Sequence, residues 1–249
     1  LSVSGLENGI QAGPVNIGLR LSPAMLFLCS MAAQTDRIAL LEQHLTANRL
    51  ERLREVLSMR TRRLTLVLEN LYHPENANGV LRTAECVGLQ EVHLIQEKFA
   101  WKYNRNIARG SGKWLEVGEW PEAAACYTRL KEQGFALVAT SAEPGSLSPE
   151  ALPLDRPVAL IFGNESVGVT QQALSLCDYR VHIPMAGLTE SYNIGVSAGI
   201  LLYELTSRIR SEAPANWQLP ASDAQDVYED WLRKAVKFAG PLLDSLNKP

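Results

Sequence analysis

Short apolar runs recur through the middle of this chain, each followed by a stretch of helical spacing. No other feature restricts the fold as much. Residues 64–68, 91–95, 136–140, 158–162 and 179–183 are rich in Leu, Val, Ile, Ala or Phe and too short for helices, as buried strands are. Between them, residues 76–87 place apolar side chains at helical intervals and meet Gly88, while residues 121–133 open on Pro121 and stop before Gly134. Proline suits a first turn because its missing N–H would find no partner there, and glycine suits the left-handed exit. Residues 169–176 read as a short helix and 192–210 as a long apolar one. Strands separated by helices are joined by crossovers, not hairpins. The expected class is therefore α/β: a mostly parallel sheet with helices on both faces.

The flanks read as helical. Thr35 and Asp36 suit a helix start ahead of Ile38, Leu41 and Leu45. Thr46 caps a second helix that turns Leu50, Leu53 and Leu57 inward and its arginines outward. Beyond Pro214 and Pro220 a last helix is expected over 223–246. Four segments follow: a disordered or upstream extension over 1–33, with Met31 near the natural start; a helical extension over 34–63; an α/β domain over 64–212; and a linker with a C-terminal helix over 213–249.

Charge and reactive side chains narrow the function classes. The formal net charge is −3, so the whole molecule is no polycation. Yet residues 49–63 hold Arg49, Arg52, Arg54, Arg60, Arg62 and Arg63 against only Glu51 and Glu55. Such a stretch is either a solvated helix face or a contact for nucleic acid. The apolar runs are too short to span a bilayer. The four cysteines lie at least 40 positions apart and the four histidines are equally scattered. Neither set has metal-ligand or disulfide spacing, so no metal and reduced thiols in a cytoplasmic protein are expected. The absence of G-x-G-x-x-G after the first run argues against a dinucleotide site.

In open α/β sheets, ligands bind beyond the carboxyl ends of the strands. Three such ends here are crowded with Gly, Asn, Ser and Pro: PENANGVLR from Pro74, FGNESVG from Phe162, and IPMAGLTESYN from Ile183. Each alone is what any tight turn uses. Together and in this order they resemble the SPOUT methyltransferases, specifically the TrmH-type ribose 2′-O-methyltransferases, over roughly residues 64–210. GSGKW from Gly110 and DWLRK from Asp230 look like the tRNA-acting members.

The resemblance implies a C-terminal trefoil knot, S-adenosyl-L-methionine as cofactor, a homodimer, and tRNA as partner, the expected target being the D-loop guanosine at tRNA position 18. It implies Thr140, Gly163, Ile183 and Tyr192 as cofactor-binding residues, with Tyr192 standing where the family usually has Leu. Arg82 matches the catalytic arginine, Asn76 would orient it or the ribose, and Glu165, Ser191 and Asn193 complete the catalytic set. A guanidinium is a poor general base because its pKa exceeds about 12. Arg82 is better suited to clamping a phosphate and stabilising charge on the ribose oxygen. RNA contacts are expected from Arg49, Arg52, Arg60 and Arg62, from the connection bearing Lys98, Lys102, Arg105, Arg109 and Lys113, and from Arg233, Lys234 and Lys237. Trp101 and Tyr103 are either base-stacking or packing residues. The alternatives are an rRNA 2′-O-methyltransferase and a catalytically silent RNA-binding protein of the same fold.

Overall fold

The computed structural model describes residues 23–97, 110–141, 143, 145–212 and 217–246. Six strands form one sheet: β1 (Leu64–Glu69), β2 (Glu91–Ile95), β3 (Glu116–Trp120), β4 (Ala136–Thr140), β5 (Val158–Phe162) and β6 (Tyr179–Val181). All pair in parallel, in the order β3-β2-β1-β5-β4-β6. Strand β3 was not expected. Its EVGEW sequence has no apolar run because it lies at the sheet edge, where only partial burial is needed.

Helices α1 (Pro23–Glu42) and α2 (Ala47–Ser58) precede the sheet. Helices α3 (Pro74–Val87), α4 (Ala123–Glu132), α5 (Gln171–Leu176) and α6 (Ile194–Glu212) connect or follow its strands, and α7 (Ala221–Ala235) and α8 (Ala239–Leu246) come last. Successive strand residues point to opposite faces. On one face Leu64, Leu66, Leu68, Val138 and Leu160 pack against Val80 and Leu81 of α3 and Leu201, Leu202 and Leu205 of α6. On the other, Val67, Leu137, Ala159 and Ile161 pack against Cys126, Tyr127 and Leu130 of α4 and Ala173 of α5. Helices therefore cover both faces, as expected.

Helix α3 is clamped at its exit. Gly88 takes φ 93°, and a Cβ there would lie 2.5 Å from the Met59 carbonyl oxygen. The Arg210 guanidinium donates to the Val87 carbonyl at 2.6 Å.

The terminal helices have a core of their own, in which Leu41, Leu53, Val227, Trp231, Leu232 and Leu243 meet. Two expectations are corrected here. Helix α1 begins at Pro23, not Thr35, so residues 23–33 are helical; Pro23 sits in its first turn and Ala, Met and Leu, good helix formers, follow. The single helix expected over 223–246 is broken between α7 and α8, where Val236 is extended and Phe238 takes φ 63°. The break lets Ala239 and Leu243 join the core beside α1. No helix among the described residues is long and apolar enough to cross a membrane.

Candidate active site

Strands β4, β5 and β6 end together, and the turns that follow enclose a cavity of about 550 Å³. Its lining includes Thr140 and Ser141 after β4, Phe162 to Glu165 with Gly168 and Val169 after β5, and Val181 to Ile183 after β6. His73 and Asn76 border it from the start of α3, and Glu190 to Ile194 from the start of α6. Eight of the nine candidate catalytic and cofactor residues thus share one wall: Asn76, Thr140, Gly163, Glu165, Ile183, Ser191, Tyr192 and Asn193.

The turn after β5 is built by close backbone contact. Asn164 and Gly168 exchange both backbone hydrogen bonds, at 3.0 and 2.8 Å. A Cβ on Gly163 would sit 2.1 Å from the Gly168 carbonyl carbon, so no other residue fits there. The Asn164 carboxamide accepts from Ser166 and Val167 N–H and donates to the Asn70 carbonyl at 2.9 Å.

Glu165 makes the second link between the two motif turns. Its carboxylate accepts from Tyr72 N–H at 2.9 Å, His73 N–H at 3.3 Å and the Asn76 amide at 2.8 Å. These groups belong to the entry of α3, whose N-cap His73 supplies no side-chain cap of its own. Partial burial pushes the Glu165 carboxyl upward. The donors from Asn76, Tyr72, His73 and its own backbone outweigh that and hold it below the usual carboxylate range. Asn76 is therefore turned toward Glu165.

The remaining wall residues divide by role. The Thr140 hydroxyl donates to the Ile161 carbonyl at 2.9 Å, which ties this lining residue to β5. Asn193 caps α6, its side-chain oxygen accepting from Gly195 N–H at 2.8 Å. Ser191 makes no hydrogen bond among the described residues and is exposed. Arg82 does not line the cavity. It projects from α3 into solvent with no hydrogen-bond or ion-pair partner among the described residues.

The candidate RNA residues separate into two groups. The Arg49 guanidinium lies 5.3 Å and the Lys113 ammonium 4.9 Å from the centre of the Trp114 ring. Burial, then the charges of Arg49 and Lys234, hold Lys113 below the ordinary lysine pKa. Helix α2 and the turn at Ser111–Trp114 thus bring two cations to one indole, while Lys234 of helix α7 lies near Lys113 and is paired with Asp230. Arg52 is exposed but paired with Glu55 at 2.6 Å, and Arg233 is paired with Glu229 at 2.5 Å.

Arg60 and Arg62 are corrections to the sequence reading. Arg60 is fully buried, donating to the Leu89 carbonyl at 2.6 Å and to Glu85 at 2.7 Å, with Trp231 beneath it at 4.9 Å. Arg62 is held by Glu91, Glu116 and Asp223. Both tie the helical extension to the α/β domain instead of facing a ligand. Lys98, Trp101, Lys102, Tyr103, Arg105 and Arg109 lie outside the described residues, as do residues 1–22.

The sequence reading also passed over three residues at these strand ends: Glu69, which holds Thr170; Asn70, whose side chain accepts from Glu97 N–H and whose carbonyl accepts from Asn164; and Asn164 itself. Asn164 stands inside a quoted motif, and Glu69 is an acid ending an apolar strand; that oddity was a usable signal. Among the described residues no group of three or more His, Cys, Asp or Glu side chains has the arrangement of a metal site.

Known proteins bear on this geometry. Residues 63–203 match the SpoU rRNA Methylase family. The chain belongs to that family. This SpoU-family chain is 34% identical over 201 residues to the tRNA (guanosine(18)-2′-O)-methyltransferase of Borreliella burgdorferi, covering 81% of this chain and 92% of that one. It is 32% identical to the enzyme of the same name from Escherichia coli K12, over 71% of this chain and 79% of the other. In structure it resembles the A. aeolicus TrmH/SpoU tRNA modifying enzyme, with a TM-score of 0.67 at 30% identity, over 76% of this chain and 98% of that one. It also resembles the SpoU methyltransferase AviRb from Streptomyces viridochromogenes in complex with AdoMet, with a TM-score of 0.55 at 25% identity, over 63% and 64% of the two chains.

Proposed function

We propose that this SpoU-family methylase transfers a methyl group from S-adenosyl-L-methionine to the ribose 2′-oxygen of guanosine 18 in tRNA. The observation that carries this reading is the convergence of all three motif turns on one cavity at the ends of β4, β5 and β6. Support for the target comes from relatives named for that reaction.

The cavity suits the cofactor on two counts. Its volume falls within the roughly 300–1,000 Å³ of small-molecule sites. Its lining also allows close backbone approach at Gly168, where no side chain stands and no atom lies within 4 Å of where a Cβ would be. Thr140, Gly163, Ile183 and Tyr192 would hold the donor, which supplies an electrophilic methyl on a sulfonium.

The protein's contribution is mainly placement and charge. Aligning the reacting groups supplies up to about 7–11 kcal/mol in favourable systems. Glu165 and Asn76 fix the entry of α3, and that helix carries Arg82. Arg82 clamps an RNA phosphate and stabilises negative charge building on the 2′-oxygen. Ser191 and Asn193 orient the ribose from the start of α6.

Because Arg82 lies outside its own chain's cavity, the reading includes a homodimer in which each Arg82 serves the partner's site. Support comes from α6, which leaves Val196, Ile200 and Tyr203 exposed beside its contact with α3. The reading further includes the trefoil knot, formed as the segment after β6 passes through a loop, and a cytoplasmic location. It keeps residues 64–212 as the catalytic domain and the terminal helices as an RNA-binding unit. Arg49, Lys113 and Lys234 meet phosphates around Trp114, with Arg52 and Arg233 at the margin.

The test is methyl incorporation from labelled S-adenosyl-L-methionine into an unmodified tRNA transcript. Incorporation is expected, and 2′-deoxyguanosine at position 18 should abolish it. Undiminished incorporation into the deoxy-substituted tRNA would overturn the assignment of the target, and cofactor binding without any transfer would indicate a silent binder.

A further inference from the structure

We propose that Glu69, which stands outside the three motifs, is a positioning residue for the methyl donor: it fixes the exit of the cavity-lining turn 163–169 by holding Thr170. The proposal rests on the reading that the cavity takes S-adenosyl-L-methionine.

Glu69 ends β1, and its neighbour Leu68 pairs in register with Phe162, the last residue of β5. The two strands therefore stop side by side at the cavity. From there the Glu69 carboxylate reaches across to Thr170. It accepts from Thr170 N–H at 2.9 Å and from the Thr170 hydroxyl at 2.7 Å. Thr170 in turn caps α5, its hydroxyl oxygen accepting from Ala173 N–H at 3.3 Å.

The turn between Phe162 and Thr170 is stiff, because of the paired backbone bonds of Asn164 and Gly168 and the contact of Gly163 with Gly168. A stiff turn moves as a unit, so its two ends set where it stands. One end is β5, locked in the sheet. The other is Thr170, directly after the lining residues Gly168 and Val169.

Stability alone does not call for a carboxylate here. Glu69 is 1% exposed and has no ion-pair partner among the described residues. Burying a charge without a cation is costly, and a neutral side chain of similar shape is often tolerated better. What the carboxylate supplies is acceptors only, matching two donors of one residue; an amide would turn a donor toward one of them. The buried Tyr127 faces the same group: burial, then Glu69, push its phenol pKa well up.

Calorimetric titration with S-adenosyl-L-methionine, together with steady-state kinetics on tRNA, tests the idea in the full chain. Glu69→Gln should weaken donor binding about tenfold, with kcat at saturating donor and KM for tRNA within about twofold of wild type. Thr170→Val should shift donor binding in the same direction, and Thr170→Ser, which keeps the hydroxyl, should restore it. The double variant Glu69→Gln with Thr170→Val should bind donor no more weakly than Glu69→Gln alone. A folded Glu69→Gln protein with wild-type donor affinity would overturn the inference. So would equal losses for donor and tRNA, or a Thr170→Ser variant as impaired as Thr170→Val. If Glu69→Gln does not fold, the two Thr170 variants decide. Wild-type binding with unaffected variants sinks this inference alone; no binding by the wild type sinks the reading of the cavity as well.

Discussion

The cavity and the basic face around Trp114 satisfy their charged groups in opposite ways. At the cavity, Glu165 and Glu69 are surrounded by donors from their own chain, so both turns are set before any ligand arrives. At the basic face, Arg49 and Lys113 crowd one indole, and Lys113 is held below its ordinary pKa by burial and then by the charges of Arg49 and Lys234. Lys234 is paired with Asp230, but Arg49 and Lys113 have no ion-pair partner among the described residues, so an outside anion would relieve them. One region is completed internally and the other by its partner, which suits a rigid site for a small donor and a salt-sensitive contact for a polyanion.

Breaking either side of this contrast should have distinct effects. Largest is Arg82→Ala: because Arg82 has no partner among the described residues, the protein should fold and bind cofactor normally. Its kcat should fall by about 10²–10³, the range for losing one charge-stabilising donor. Stopped-time methylation assays beside thermal melts would expose an ordinary surface arginine if activity survives.

Next is Arg60→Ala. Removing a fully buried guanidinium strands Glu85 and the Leu89 carbonyl and empties the space over Trp231. Stability should drop by about 3 kcal/mol, measured by urea unfolding. The salt dependence of RNA binding should not change, in contrast to a phosphate-binding arginine.

Arg49→Ala and Lys113→Ala should do the reverse. Each should leave stability nearly intact and lower the slope of log K against log salt by about 0.7–0.9. Filter binding over a salt series checks this, and an unchanged slope would remove that residue from the RNA face.

The smallest effect concerns acid. The folded-state pKa of Glu165 is depressed, so its contribution to stability is complete above the unfolded value of about 4.3 and is lost as pH falls through the folded value. Wild type should therefore lose stability below about pH 5 more steeply than Glu165→Gln. Parallel melting curves from pH 6 to pH 3 would contradict the link that Glu165 makes to the entry of α3.

Much of this was legible in the chain itself. Strands with two buried faces read as uninterrupted apolar runs, which is why β1, β4 and β5 were found and the edge strand β3, with Glu116, Gly118 and Glu119, was not. The motif turns were legible because the residues they need, Gly163 above all, are required by local backbone geometry. The arginines between positions 49 and 63 were not. In sequence Arg60 and Arg49 look alike; in the fold one is closed over by Trp231 and the other lies against Trp114.

By itself, the sequence determined most of the strands and helices and the positions of the tight turns, because hydrophobic period and glycine backbone freedom act over a few residues. Only the tertiary structure decided which cations reach solvent, where Arg82 points, and that Glu69 and Glu165 tie separate turns together. Those outcomes depend on groups brought close by folding from distant parts of the chain: Glu69 meets a residue more than a hundred positions away.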